Sequence, residues 1–203
     1  MKYLLLSSFL LLLVACTGSN DSSGSASTGS TNLEGFTITK VPKSNSELAV
    51  QNNPNGQKME EGFLTNGKKN GMWITYHPNS DRIKTITSYV DNTLEGPYLE
   101  LSSRGQIEAK VTYSQNELHG PFVKYKFGRP LELSNYNRGK LDGISKSYYN
   151  NGKLQKEIEF KDGVQDGVYK FYDDQGNTTL EYTYKNGEKV SGGIVNDPPA
   201  DDQ

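Results

Sequence analysis

The amino-acid sequence predicts an all-β protein in which repeated β-hairpins form an elongated, single-layer antiparallel sheet. The first observation is composition: 203 residues include 21 glycines and 13 tyrosines, so turn formers and strand-favouring side chains are abundant. The second is a glycine that recurs at a nearly constant spacing, which indicates a repeat architecture. Leucine, isoleucine and valine are also scarce after residue 15, which argues against a thick globular core.

Six anchor glycines mark the repeat, and successive anchors are 25, 24, 23, 24 and 25 residues apart. The anchors are Gly71, Gly96, Gly120, Gly143, Gly167 and Gly192. Aromatic side chains recur two and five residues after an anchor, at Trp73, Tyr76, Tyr98, Phe122, Tyr125, Tyr148, Tyr169 and Tyr172. A further residue closes the second strand of each unit, namely Leu64, Tyr89, Tyr113, Tyr136, Phe160 or Tyr184. The pattern predicts about six hairpins, or about twelve strands.

Tight turns are expected between the strands, most clearly at Asn66-Gly67 and Asn151-Gly152, because asparagine and glycine accept the positive backbone dihedrals of such turns. The second strands alternate apolar and polar residues, although Lys156 interrupts one of them. The third unit is one residue short, which predicts a bulge near residues 128–130. Positions two and five residues after an anchor have opposite parity. Either both faces of the sheet carry aromatic rings, or a bulge realigns them.

The N-terminus predicts a signal peptide over residues 1–15. Lys2 precedes an apolar and hydroxyl run of 13 residues, which is too short to span a bilayer as a helix. The run ends in "LVAC", residues 13–16, which resembles the lipobox of bacterial lipoproteins and implies that the Cys16 thiol carries a diacylglycerol. An ordinary secretory signal with an incidental cysteine is the alternative. Cys16 is the single cysteine, so no internal disulfide is expected.

The remaining chain divides into four predicted segments. Residues 16–31 contain, after the lipidated cysteine, only small or polar side chains and are expected to form a flexible tether. Thr17 follows the cysteine, and the lipoprotein resemblance then implies sorting to the outer membrane. Residues 32–50 are expected to cap the first hairpin, residues 51–193 to form the repeat domain, and residues 194–203 to be a disordered tail.

The stretches "NGKKNGMWITYHPN", "RGKLDGISKSYYNNGKL" and "KDGVQDGVYKFYDDQGN" resemble the MORN-type repeat, and most closely its bacterial variant found in YwqK-family antitoxins. The resemblance covers about residues 51–192 and is strongest over residues 139–187. Two units lack the first glycine, and Ser145 replaces an aromatic residue in another. The resemblance implies an elongated single-sheet protein that binds other macromolecules and has no enzymatic site of its own.

The sequence holds few residues suited to catalysis or metal binding. His77 and His119 fall at non-equivalent positions of different units, and with one cysteine they cannot assemble a zinc site. The segments "GISKS" and "DDQGN" resemble fragments of a nucleophile elbow and a calcium loop, but each lacks a required residue. We therefore expect no enzyme, cofactor or metal. A nearly neutral net charge also gives no indication of nucleic-acid binding.

These observations predict a membrane-anchored bacterial lipoprotein that acts as a non-catalytic protein-binding module, with the recurring aromatic residues as its binding surface. The resemblance to YwqK-family antitoxins suggests an antitoxin or immunity protein whose partner is a toxin. The alternative is a structural envelope protein whose sheet contacts lipid or glycan, and an enzyme ranks third.

Overall fold

The computed structural model describes residues 31–195, and in that range the chain forms one open antiparallel sheet of 16 strands without any helix. The predicted all-β, single-sheet fold is therefore confirmed. The strands are β1 (Phe36–Lys40), β2 (Ser46–Asn52), β3 (Lys58–Thr65), β4 (Lys68–Tyr76), β5 (Ile83–Val90), β6 (Thr93–Leu101), β7 (Ile107–Ser114), β8 (Glu117–Leu118), β9 (Gly120–Lys126), β10 (Arg129–Asn137), β11 (Lys140–Leu141), β12 (Gly143–Tyr148), β13 (Leu154–Lys161), β14 (Val164–Tyr172), β15 (Thr178–Lys185) and β16 (Glu188–Ile194).

The strands lie in the sheet in chain order, so each hairpin pairs with the hairpin before it and the one after it. The short strands β8 and β11 pair only with β7 and β10, just before the anchors Gly120 and Gly143. The structure thus has more strands than the sequence predicted, because residues 36–52 add a first hairpin and two first strands are interrupted. None of the described residues belongs to a helix that could cross a membrane.

One edge of the sheet, the tight-turn edge, carries six two-residue turns beside the longer loop 41–45 that joins β1 to β2. Both central residues have positive φ, which defines the type I′ turn that suits the twist of a hairpin. These turns are Asn66-Gly67, Asp91-Asn92, Gln115-Asn116, Arg138-Gly139, Asp162-Gly163 and Asn186-Gly187. The turn predicted at Asn66-Gly67 is therefore correct.

The other edge, the long-loop edge, carries longer loops at residues 53–57, 77–82, 102–106, 149–153 and 173–177. In each loop the first N–H donates to the carbonyl of the last residue, over 2.8–2.9 Å. Asn151-Gly152 lies inside one of these loops, where the Gly152 N–H donates to the Tyr149 carbonyl over 2.8 Å and closes a tight turn. Gly152 has the expected positive φ, but Asn151 does not. The third unit alone has a two-residue turn at this edge, Phe127-Gly128, and this shorter connection accounts for the shorter unit.

Every unit has a bulge at the start of its second strand, where one extra residue is inserted. The extra residues are Met59, Lys84, Glu108, Leu131, Gln155 and Thr179. The bulge predicted near residues 128–130 therefore exists, one residue further along, but it is a feature of all units. The extra residue changes the face on which the residues before it lie. Leu154, before the bulge, therefore lies opposite Tyr148, whereas Lys156, after the bulge, lies on the same face as Ile158. The apparent exception at Lys156 is thereby explained.

A second irregularity surrounds the anchor glycines. Gly62 lies opposite Trp73 and Phe63 opposite Asn70, so Gly71 and Met72 are inserted between them. All six anchors have positive φ, between 72° and 127°. The anchors of the five complete units lie opposite the next closing aromatic residue, in the pairs Gly71–Tyr89, Gly96–Tyr113, Gly120–Tyr136, Gly143–Phe160 and Gly167–Tyr184, whereas Gly192 lies opposite Tyr182.

The best-packed part of the sheet is its N-terminal end. Ala49, Leu64 and Trp73 are buried there, with exposed fractions of 0–1%. Leu33 and Phe36 pack against this cluster, and the Thr31 hydroxyl donates to the Gly67 carbonyl at the tight-turn edge over 2.9 Å. Residues 31–36 therefore cross one face of the sheet. The segment predicted as a cap, residues 32–50, supplies this crossing together with β1 and most of β2. The predicted signal peptide, Cys16, the tether up to residue 30 and the tail beyond residue 195 lie outside the described residues.

Candidate binding surface

The register of the strands defines two faces, because residues directly opposite each other in an antiparallel pair share a face. We call the face that contains Trp73 the aromatic face. Its middle row passes from Ala49 through Gly62, Trp73 and Thr87 to Tyr98, each opposite the next. It continues through Val111, Phe122, Ser134, Ser145, Ile158, Tyr169 and Tyr182.

The closing aromatic residues lie on this same face and contact the middle row edge-on. Ring centroids are 6.4 Å apart for Trp73–Tyr89, 6.1 Å for Tyr98–Tyr113 and 6.0 Å for Phe122–Tyr136. In the fifth unit Tyr169, Tyr182 and Tyr184 form a group with centroid distances of 5.8–6.5 Å. The fourth unit has no such pair, because Ser145 lies beside Phe160 in place of a ring. Edge-to-face packing of this kind stabilises a ring pair by about 0.5–1.5 kcal/mol beyond burial.

The tyrosines of the aromatic face bury their rings only partly. Burial raises the pKa of Tyr98 to about 12, and burial likewise raises the pKa of Tyr89, Tyr113 and Tyr136. Within residues 31–195 no group forms a hydrogen bond with the hydroxyls of Tyr98, Tyr113 or Tyr136. Each ring is therefore held in place by packing while its hydroxyl is available to another molecule.

Lysines contact the rings at both ends of the aromatic face. Lys69 Nζ lies 3.9 Å from the Trp73 ring centroid and also pairs with Glu60 Oε1 at 2.7 Å. At the C-terminal end Lys189 Nζ lies 4.5 Å from the Tyr182 ring centroid. These cation–π contacts shield rings near the two ends of the row.

The structure separates the eight aromatic residues that the sequence predicted as one surface. Trp73, Tyr98, Phe122 and Tyr169 lie on the aromatic face, whereas Tyr76, Tyr125, Tyr148 and Tyr172 lie on the opposite face. Their opposite parity is thus retained, and aromatic residues occur on both faces. Trp73 is only 1% exposed, so its inclusion in a binding surface was wrong: it is a core residue.

The predicted surface did not include five further tyrosines of the second strands, namely Tyr89, Tyr113, Tyr136, Tyr182 and Tyr184. Their ring contacts place them on the aromatic face, beside the predicted rings. The signal was present in the sequence as one aromatic residue in the second strand of almost every unit. Without the position of the bulges, however, the face could not be assigned.

The opposite face changes in character along the sheet. Near the N-terminus its central row contains Val50, Ile74, Ile86 and Leu99, whereas Lys146, Glu157, Lys170 and Glu181 occupy the same row near the C-terminus. The Lys146–Glu157 and Lys170–Glu181 ion pairs measure 3.5 and 3.6 Å. On this face the Tyr76 hydroxyl donates to Glu61. Burial is the larger cause, and this hydrogen bond the second, that raises the pKa of Tyr76 to about 12.

The tight-turn edge is held together by a ladder of backbone hydrogen bonds between units. The second residue of each turn donates its backbone N–H to the carbonyl of the residue that lies two positions before the preceding anchor. These hydrogen bonds measure 2.8–3.1 Å and join Asn92 to Lys69, Asn116 to Leu94, Gly139 to Leu118, Gly163 to Leu141 and Gly187 to Gln165. The residue just before an anchor adds a side-chain contact: Glu95 accepts from the Gln115 N–H and Asp166 from the Asn186 N–H. That hydrogen bond and the one from Lys185 lower the pKa of Asp166.

The residues considered for catalysis occupy structural positions. The His77 ring contacts the Leu101 carbonyl at 2.9 Å, and His119 lies where the first strand of its unit is interrupted. Ser145 Oγ donates to Ser134 Oγ inside the sheet. Asp173 accepts from the side chain of Asn177 and from three backbone N–H groups of its loop, and these hydrogen bonds lower its pKa. Among the described residues no three histidine, cysteine, aspartate or glutamate side chains are grouped to hold a metal ion.

Comparisons with known proteins give a repeat-family match and weak matches to solved structures. Two solved structures resemble the chain: a mutant of S. aureus TarM in complex with fondaparinux, α-GlcNAc-glycerol and UDP (12% identity, TM-score 0.30), and TarM (13% identity, TM-score 0.31). Each match covers 66% of this chain, which spans about a fifth of the TarM chains. No curated protein matches the sequence. Residues 141–162 and 165–186 match the family described as the MORN repeat variant, within the stretch where the sequence resemblance was predicted to be strongest.

Proposed function

We propose that this protein is a lipid-anchored, non-catalytic module of the bacterial cell envelope that binds another protein through its aromatic face. The observation that carries the proposal is the row of half-buried rings over Tyr98, Tyr113, Phe122 and Tyr136, whose tyrosine hydroxyls form no hydrogen bond within residues 31–195. Rigid aromatic rings with a polar tip are the side chains most enriched at the energetic centres of protein interfaces. The MORN repeat match also suggests a repeat-based binding module.

The lipid anchor belongs to this proposal through "LVAC" and Cys16. The first described residue, Thr31, contacts Gly67 and Asn92, which both lie in turns of the tight-turn edge. A tether that starts there would connect this edge to the membrane and leave the aromatic face accessible from the side. A tether of about 15 residues has an average reach of roughly 20 Å. The predicted Thr17 sorting signal makes the outer membrane the proposed location.

The resemblance to YwqK-family antitoxins gives the proposal a sharper form, in which the partner is a toxin that the module covers. A lipid anchor suits only a toxin that is met in the periplasm or at the cell surface. Co-expression with the product of a neighbouring gene tests this form: we expect growth to be rescued only when the module is present. Growth arrest that the module leaves unchanged would remove the toxin version and keep the general one.

Affinity capture from detergent-solubilised envelope, followed by mass spectrometry, tests the proposed function. We expect one protein at near-equal amount, and we expect Tyr98→Ala or Phe122→Ala to reduce its recovery about tenfold or more. Tyr172→Ala is the matched control, because Tyr172 is a half-buried aromatic residue on the opposite face. Recovery of lipid or glycan without a stoichiometric protein would instead support a structural envelope role.

The anchor is tested separately by Cys16→Ala. We expect this variant to lose acylation and to appear as a soluble or unprocessed form, because no other cysteine thiol is present. Fractionation of cell envelopes and mass measurement of the N-terminal peptide would report the change. Unchanged membrane retention would contradict the proposed anchor.

A further inference from the structure

The turn Phe127-Gly128 differs from the other connections at its edge of the sheet. At the long-loop edge it is a two-residue turn between the longer loops 102–106 and 149–153. It therefore leaves a depression between those loops, which we call the notch. Two grooves, of about 220 and 300 Å³, flank the turn, and both are lined by Lys126 and Phe127.

Phe127 is not explained by turn chemistry. It is the first central residue of its turn, with φ +51°, a conformation in which a bulky side chain is unfavourable. The six two-residue turns of the tight-turn edge have polar residues in this first central position, namely Asn66, Asp91, Gln115, Arg138, Asp162 and Asn186. Packing does not explain Phe127 either, because its side chain is 79% exposed. An apolar ring in an unfavourable backbone conformation, left in water, indicates a binding role.

The notch is also cationic. Lys126 and Arg129 line the first groove, and Arg104 and Lys126 line the second, where Glu108 is the one carboxylate. Among the ion pairs of residues 31–195, none involves Arg104, Lys126 or Arg129. The whole chain has a formal net charge of −2, so this positive cluster is not a consequence of overall composition. Lys126 Nζ donates to Asn150 Oδ1 over 3.2 Å and lies 5.8 Å from the Phe127 ring centroid. Three cations without a carboxylate partner in this range therefore suit an acidic ligand.

The position of the notch favours a protein ligand over a lipid surface. Thr31 leaves the sheet at the tight-turn edge, whereas the notch lies at the long-loop edge. A tether to a membrane would thus attach the sheet by the edge that lies opposite the notch. The ring of Phe127, beside Ile107 and Tyr125, would contact an apolar residue of a segment whose carboxylates meet Lys126 and Arg129.

We propose that the notch around Phe127 binds an acidic segment of a protein partner, in which carboxylates flank an apolar side chain. This inference rests on the proposed function only in requiring a protein partner, and it adds a second contact region apart from the aromatic face. Lys126 and Arg129 supply charge-assisted hydrogen bonds to the carboxylates. Phe127 supplies the apolar contact and stays exposed until the partner covers it.

The test is fluorescence polarisation with the full chain in detergent at low ionic strength. The probe is a labelled octapeptide of six glutamates, one leucine and one phenylalanine, compared with the same peptide carrying glutamines. We expect the acidic peptide to bind about tenfold or more tightly than the glutamine peptide. Equal binding of the two peptides, or binding of neither, overturns the proposal.

Two variants connect binding to the notch. Phe127→Asn introduces the residue that this turn conformation prefers, so we expect an unchanged or higher Tm together with weaker peptide binding. Lys126→Gln with Arg129→Gln should weaken binding about tenfold or more. Arg138→Asn is the matched control, because it removes a cation from the equivalent position of a turn at the other edge. Equal losses in the control and the notch variants overturn the proposal.

A vesicle experiment separates the other ligand class. Vesicles containing phosphatidylglycerol should bind wild type and the Lys126 and Arg129 variant equally, if at all. Loss of vesicle binding in that variant, without binding of the acidic peptide, would assign the notch to anionic lipid and overturn the proposal. The proposed function would survive either result, because capture through Tyr98 and Phe122 is measured on the aromatic face.

Discussion

The first unit and the later units use the same repeat position in different ways. Trp73 in the first unit and Tyr98, Phe122 and Tyr169 in later units each lie two residues after an anchor, on the same face. Trp73 is buried because Leu33 and Phe36 pack against its cluster, while the later rings remain partly exposed. A repeat position therefore has no fixed role: a short crossing segment turns a surface ring into a core residue.

The strand partners of these rings show the same difference. Trp73 lies opposite Gly62, and an added Cβ at Gly62 would overlap the indole ring, so the wide side chain fits against bare backbone. Tyr98 lies opposite Val111, and the smaller ring packs beside that side chain. The covered unit thus has a tighter fit than the others, and four predictions test this comparison.

The largest effect is expected from Trp73→Ala. Removal of a fully buried ring should lower the free energy of unfolding by about 3–5 kcal/mol. Phe122→Ala, at the equivalent but uncovered position, should cost about 1–2 kcal/mol, because only part of its ring leaves water on folding. Urea denaturation followed by circular dichroism measures both. Equal losses would show that the covering segment contributes nothing to the role of this position.

A somewhat smaller effect is expected from Gly62→Ala. The new methyl group would have to displace the Trp73 ring, which should lower the free energy of unfolding by about 1–3 kcal/mol. Gly193→Ala is the matched control, since an added Cβ there contacts nothing and should change stability by less than about 0.5 kcal/mol. If the two variants unfold at the same urea concentration, Gly62 is not needed to accommodate the Trp73 ring.

The covering segment itself is tested by Leu33→Ala, which should lower the free energy of unfolding by about 1 kcal/mol. The chain contains one tryptophan, so fluorescence reports on Trp73 alone. Its emission should move to longer wavelength and become easier to quench with acrylamide. Val164→Ala, which removes an exposed aliphatic side chain in the distant strand β14, should leave the emission unchanged. An unchanged spectrum in Leu33→Ala would mean that another part of the chain covers the ring.

The smallest effect concerns pH. Burial raises the pKa of Tyr98 from 10.0 to about 12, so the folded state holds this proton more tightly than the unfolded state. The associated stability is fully present below the ordinary tyrosine pKa and is lost as pH rises through the folded pKa, between about 10 and 12. A phenolate absorbance titration should show a late component to which Tyr98 and Tyr76 both contribute, and Tyr98→Phe should reduce it by about half. A Tyr98→Phe titration identical to wild type would contradict the packing of this ring.

The repeat, the hairpins and the tight turn at Asn66-Gly67 could be predicted because they depend on local chemistry. Glycine spacing and positive-φ residues fix where the chain reverses, whatever lies elsewhere. The faces on which the aromatic residues lie were only half predicted. Tyr98 and Phe122 do share a face, but Tyr76 and Tyr125 belong to the other one.

The remaining features depend on contacts between distant residues. The bulges at Lys84 or Gln155 carry no distinctive residue type, so their effect on the face of each side chain is invisible before the register is known. The burial of Trp73 depends on Leu33, forty residues earlier in the chain. The two-residue turn at Phe127-Gly128 likewise could not be predicted, because phenylalanine is not a residue that indicates a type I′ turn.

The ladder at the tight-turn edge has a consequence for how such a protein changes over evolutionary time. Each junction from Asn92–Lys69 to Gly187–Gln165 is closed by a backbone hydrogen bond, to which side chains such as Glu95 and Asp166 only add, so the junction places little demand on sequence. Duplication or deletion of one whole unit would recreate the same junction on both sides. The sheet can then become longer or shorter by whole units, while the covered first hairpin is unchanged.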